Sequence, residues 1–229
     1  MTRQMDLDTT GMQFTRRWFL NRNLATFREF VHPAWAGKPI TYVELGVFEG
    51  MSMCWMLQRV LTHPAARAIG VDPWLQTTKL SEGDMELVKQ RAFNNVGQWS
   101  FPAEGSSQSN GQIPSTICIT GKCELYRANS AEILRRMVGR HGFAGITKDS
   151  VDLCMVDGNH NALAVLDDLR LVHQLMKIGG WILLDDVVND IEKKDHVRQG
   201  LDMWLAEVGD KVVQVWAHKY MEAYEVKAR

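Results

Sequence analysis

Hydrophobic positions along the chain recur with two periods. Short, largely apolar runs at Ile40–Leu45, Ala68–Val71, Cys123–Tyr126, Val151–Val156 and Trp181–Leu184 have the length and β-branched content of strands covered on both faces. Between them, apolar residues three and four apart predict helices from Ser52 to about Leu61, over 82–95, from Asn129 onward, through Leu166, Leu169, Val172 and Met176, and over about 195–208. In the fourth of these, Asp167, Asp168 and Arg170 fall on the face expected to meet water, and Gly179-Gly180 is placed to cap its end. Strands alternating with helices indicate a doubly wound α/β sheet with right-handed crossovers. Two last runs, Val212–Trp216 and Met221–Val226, are separated by a short link with His218-Lys219 and predict an antiparallel hairpin. The sum is a mostly parallel, seven-stranded sheet ending in antiparallel strands.

Two stretches stand outside this alternation. Residues 1 to about 12 read as loosely attached. Phe14 to Val31 then carries Trp18, Phe19, Leu24, Phe27, Phe30 and Val31 at helical spacing, so residues 1–36 form a helical cap, either over a ligand or over a sheet edge. The domain proper occupies 37–229. Within it, 97–122 is rich in Gly, Ser, Gln and Asn, with Pro102 and Pro114. A loop of this length is usually a functional or mobile insertion, and a hairpin around Ile117–Ile119 is a natural way to close it.

Composition narrows the class of partner. The chain has 229 residues, 45% hydrophobic and 23% charged, enough for one domain with a sizeable core. Lys and Arg total 26 against 27 Asp and Glu, so no basic field points to nucleic acid. The first residues lack the apolar core of a secretory signal, and no run approaches the ~20 apolar residues that span a bilayer. A cytoplasmic protein without membrane attachment, acting on a small molecule and free to form a homo-oligomer, is expected. Cys54, Cys118, Cys123 and Cys154 have neither disulfide-framework nor zinc-knuckle spacing.

The candidate chemistry begins at Glu44-Leu45-Gly46-Val47-Phe48-Glu49-Gly50-Met51-Ser52, a strand, a glycine turn and a helix start. Free N–H groups at such a start favour polar or anionic ligand groups. A dinucleotide fingerprint needs a second glycine where Phe48 stands and a third where Met51 stands. A nicotinamide-dependent oxidoreductase is therefore the weaker reading. Asp72 ends the second strand, where an acid either hydrogen-bonds ribose hydroxyls or simply caps a helix or forms a turn. Asp157 ends the fourth strand and Asp185-Asp186 the fifth. Neighbouring strands lie ~4.8 Å apart, so these carboxylates would share one rim, where a cation or protons must offset their repulsion. An all-oxygen set favours Mg²⁺ over zinc.

The pattern E-x-G-x-x-x-G at Glu44, Gly46 and Gly50 resembles the first motif of class I S-adenosylmethionine-dependent methyltransferases. Asp157-Gly158-Asn159-His160, the following helix and Asp185-Asp186-Val187 are similar to the metal-dependent O-methyltransferases of the catechol and macrolide-sugar type. The resemblance covers about residues 38–187 and implies a Rossmann-like fold. It implies cofactor contacts at Glu44, Gly46, Gly50, Ser52, Asp72, Ser130, Ala131 and Asp157, with Asp72 on the ribose and the Ser130-Ala131 turn beside the adenine. It further implies Mg²⁺ held by Asp157, Asp185 and Asp186, and His160 as the base that takes a substrate hydroxyl proton. Read locally, Asp185-Asp186 could equally cap a helix, His160 could start one, and Asn129 or Ser130 could cap the helix after it. A non-catalytic protein retaining the cofactor pocket is the alternative from another class, which three aligned carboxylates disfavour.

Overall fold

A computed structural model describes residues 6–77, 80–98, 117–187 and 196–228. These fall into two compact units: the described residues up to Ile40 together with Val47–Ala128, and Thr41–Gly46 together with the described residues from Asn129 onward.

In the first unit, helical turns Phe19–Asn23, Leu24–Thr26, Phe27–Val31 and His32–Trp35 join into one helix, α1, that alternates π and α geometry. Phe19 and Phe27 stack edge-on at 5.0 Å, and Phe27 meets Trp55 of helix α2 (Met51–Arg59) at 5.6 Å. The expected start at Phe14 is five residues early. The Thr15 and Arg16 N–H groups donate to the Glu49 carboxylate instead of entering a helical turn, so 14–17 stays outside the helix. Strand β2 (Arg67–Asp72) pairs in parallel with β4 (Cys123–Arg127), and the short β3 (Ile117–Thr120) pairs with β4 antiparallel. That places the hairpin anticipated around 117–119 and adds a strand to the seven foreseen. Helix α3 (Glu82–Gly97) opens on a capping box between Ser81 and Asp84.

The second unit carries β1 (Thr41–Leu45), β5 (Val151–Val156), β6 (Met176–Leu184), β8 (Met221–Val226) and β7 (Val212–His218), side by side in that order. β1, β5 and β6 run parallel, while β8 and β7 are antiparallel, as the last two runs predicted. Helix α4 (Ser130–Val138) is capped by the Asn129 side chain, and α5 (Ala162–Leu175) by Asn161. Helix α6 spans His196–Val208.

Two expectations fail here. Gly179-Gly180 does not cap α5. That helix stops at Leu175, Met176 is already extended (ψ 139°), and both glycines lie inside β6. Val151 pairs with Met176 but Leu153 pairs with Trp181, so β6 bulges, and Gly179 at φ +85° makes the bend. The other failure is Asp168, which is buried at 2% exposure beneath Ser130 rather than facing water. Among the described residues no helix is long and apolar enough to cross a membrane.

Candidate active site

The bend after β1 is fixed by a backbone contact that only glycine permits. Asp157 N donates to Leu45 O at 2.9 Å, holding the end of β5 against Gly46. Gly46 sits at φ +89°, and a Cβ there would lie 1.8 Å from Asp157 O. Two residues earlier on β1, Glu44 is fully buried and accepts the Tyr42 hydroxyl at 2.7 Å. Burial first, then the Glu44 charge, pushes the Tyr42 phenol well above its ordinary value, so it stays a donor.

Past Gly46, Gly50 N closes the turn on Val47 O at 2.8 Å. Gly50 then caps α2 in the left-handed region, without a side-chain cap, and Ser52 is buried in the first helical turn. Phe48, at φ +51°, donates its N–H to Asp72 Oδ2 at 2.9 Å, while Asp72 Oδ1 accepts from Trp74 N at 2.7 Å. Trp74 returns an indole N–H to Phe48 O at 2.9 Å. Asp72 thus organises the turn as a local reading foresaw. Burial raises its pKa, and the N–H groups of Phe48, Trp74 and Val47 oppose that rise.

In the second unit, Asn129 Oδ1 accepts Ala131 N at 3.0 Å, and Ser130 Oγ lies 2.9 Å from each oxygen of Asp168. Burial pushes the Asp168 carboxyl up to about 6, with the Ser130 hydrogen bond pulling the other way.

The acids expected at the ends of β5 and β6 partly converge. Ligand atoms of Asp157, His160 and Asp186 all lie within 4.8 Å of one another. His160 Nε2 is 3.6 Å from Asp186 Oδ2 and 4.0 Å from Asp157 Oδ1. Asp186 reaches this position with φ +54°, a conformation uncommon outside glycine. Asp185 is buried at 7% exposure, its N–H bonded to Val156 O, and it lies outside that group. Histidine joins in its place. The two part-exposed carboxylates suit a divalent cation that keeps open positions for water or substrate oxygen, with the exposed His160 imidazole beside them.

Sequence reasoning missed Glu49 and Asn95, both 1% exposed. Glu49 sits inside the glycine turn, and its oxygens take Thr15 N, Thr15 Oγ1, Arg16 N and Arg91 Nη1. Asn95 reaches Glu49 O and both backbone groups of Gln13. A charged residue inside a glycine turn was the signal available for Glu49. Of the 97–122 insertion, residues 99–116 lie outside the described residues.

The sequence profile of a methyltransferase domain matches residues 43–187, which includes the glycine turn, Asp72 and the acid group. The chain belongs to the methyltransferase family. This family uses S-adenosylmethionine as methyl donor, and the likeness among solved structures agrees in fold. NovP, an O-methyltransferase, superposes with a TM-score of 0.56 at 14% identity, over 83% of this chain and 73% of its own. MycE, a methyltransferase of the mycinamycin biosynthetic pathway solved with Mg, SAH and mycinamycin VI, gives 0.55 at 13% identity. That match covers 94% of this chain and 50% of MycE, so the methyltransferase spans half of that protein's length. A Corynebacterium glutamicum protein gives 0.53 at 12% identity over 95% of this chain and 93% of its own. At such identities the likeness shows the methyltransferase fold alone. No curated protein matches the sequence.

Proposed function

We propose that the protein transfers the methyl group of S-adenosylmethionine to a hydroxyl oxygen of a small molecule, assisted by Mg²⁺. The observation that carries this reading is the convergence of Asp157, His160 and Asp186 just past two parallel strands of a methyltransferase-family chain. Asp157 and Asp186 would hold the cation, and Asp185, buried, lies outside that group. A divalent cation at that position lowers the pKa of an oxygen bound to it, a substrate hydroxyl included. His160 receives the hydroxyl proton, and the two carboxylates within 4.0 Å stabilise the imidazolium that results. As the new O–C bond forms, the S–C bond of the sulfonium breaks, leaving a methyl ether and S-adenosylhomocysteine.

Cofactor contacts are assigned to Glu44, Gly46, Gly50, Ser52, Asp72, Ser130, Ala131 and Asp157. Support comes from the glycine turn of a methyltransferase-family chain and from Asp72 at the end of β2. A carboxylate offers about four acceptor sites, so the bonds from Phe48, Trp74 and Val47 leave room for one ribose hydroxyl. The MycE complex with Mg and SAH supports the same cofactor pair. A small hydroxyl-bearing molecule, neutral or modestly charged, fits the balanced charge.

Calorimetry with S-adenosylhomocysteine tests the donor, and binding in the micromolar range is expected. A methylation assay over hydroxylated acceptors tests the rest. Activity should be lost in EDTA, return with Mg²⁺, and fall at least about 100-fold in Asp157→Ala and Asp186→Ala. Full turnover in EDTA would remove the metal while leaving the methyltransferase. Cofactor binding with no turnover on any acceptor would favour a non-catalytic partner protein.

A further inference from the structure

The segment before α1 lies across the first unit as a strap, tied down by two buried polar side chains. Asn95 Nδ2 donates to Gln13 O at 2.9 Å and to Glu49 O at 3.0 Å, while Asn95 Oδ1 accepts from Gln13 N at 2.9 Å. Glu49 accepts from Thr15 N and Oγ1 at 2.7 and 2.8 Å. Towards the N-terminus, Gln98 Nε2 donates to Gly11 O at 2.6 Å and Gln58 Nε2 to Asp8 O at 2.9 Å. The strap is therefore held at four points along its length, and the space beneath it is preformed.

That space is a cavity of about 340 Å³, within the range of small-molecule sites. Phe14, Leu20 and Met51 give it an apolar wall, and Thr9, Arg17 and Arg91 contribute polar groups. Its lining contains no acidic side chain. The two arginines differ in what they already hold. Arg91 is paired with Glu49 at 3.1 Å. The Arg17 guanidinium has no acidic partner among the described residues. A pocket with a largely polar lining, one apolar wall, an arginine already neutralised and a second one open to an anion suits a small ligand carrying one carboxylate. Guanidinium and carboxylate match as a two-pronged, charge-assisted pair.

We propose that the cavity under the strap is a binding site for a small carboxylate, with Arg17 receiving the carboxylate group. This stands apart from the methyl-transfer reading, since it uses none of the residues assigned to cofactor or metal.

Benzoate serves as the probe and benzamide as its uncharged counterpart, each titrated by calorimetry into the full chain saturated with S-adenosylhomocysteine. Benzoate should bind at millimolar concentration, benzamide about tenfold more weakly, and Arg17→Gln should weaken benzoate about tenfold, since a charge-assisted bond is worth about that much. Arg17→Lys, which keeps the charge but not the two-pronged geometry, should recover part of the loss. Arg17 is exposed, so neither substitution threatens folding. The proposal is overturned by no binding of benzoate, by equal binding of the two probes, or by an Arg17→Gln variant that binds benzoate as wild type does. It is also overturned if benzoate binds the free protein and S-adenosylhomocysteine displaces it, which would assign the cavity to the cofactor. Binding of S-adenosylhomocysteine itself, measured in the same titrations, judges the methyltransferase reading separately.

Discussion

At Gly46 a single hydrogen atom decides whether the turn can exist. Alanine there would press Cβ into the Asp157 carbonyl and hold φ at +89° against its preference. Gly46→Ala should cost about 3 kcal/mol or more; a urea midpoint equal to wild type would refute the contact. Asp168 makes a different residue-scale argument. Its pKa in the fold is raised to about 6 from an ordinary value near 4. Between those values the folded protein holds a proton that the unfolded chain has released. Stability from this group is therefore present at low pH and lost as pH rises through 6. Asp168→Asn keeps an oxygen for Ser130 and removes the charge. Relative to wild type it should gain about 2–3 kcal/mol between pH 4 and pH 7, read by denaturant titration at each pH. A gap that does not change with pH would show that the carboxyl is not the titrating group.

At the scale of elements, the strap and helix α3 depend on each other. Asn95 satisfies both backbone groups of Gln13 and the carbonyl of Glu49 from a site that is 1% exposed. Asn95→Ala leaves those groups without partners, at a cost of about 1–3 kcal/mol. Trypsin should then cleave after Arg16 or Arg17 well before it cuts wild type, and an unchanged digestion pattern would argue that α3 is not the anchor. Strand β6 carries the complementary lesson. The run Trp181–Leu184 was legible as a strand because its apolar residues are continuous. The preceding Met176–Gly180 was not, because a glycine pair after a helical pattern resembles a helix cap equally well. Pairing with β5 across the Val151–Leu153 irregularity makes the difference.

For the molecule as a whole, ligand binding and folding are linked. S-adenosylhomocysteine at a hundred times its dissociation constant should stabilise the fold by about 2.7 kcal/mol, raising Tm by about 5–10 °C for a chain of this size. A melting curve unmoved by the ligand would contradict the donor assignment. Local signals were enough for much of this protein. Apolar period gave away the strands and helices, the E-x-G-x-x-x-G spacing marked the turn, and Asp157 and Asp186 could be placed at strand ends, because strand, turn and cap preferences are properties of neighbouring residues. What they could not supply was proximity between residues far apart in the chain. Tertiary structure alone brought His160 to within 3.6 Å of Asp186, set Asp185 apart, buried Asp168 under Ser130, and laid the strap over Glu49 and Asn95. Each of those depends on backbone register and packing between distant segments, and a one-dimensional pattern records neither.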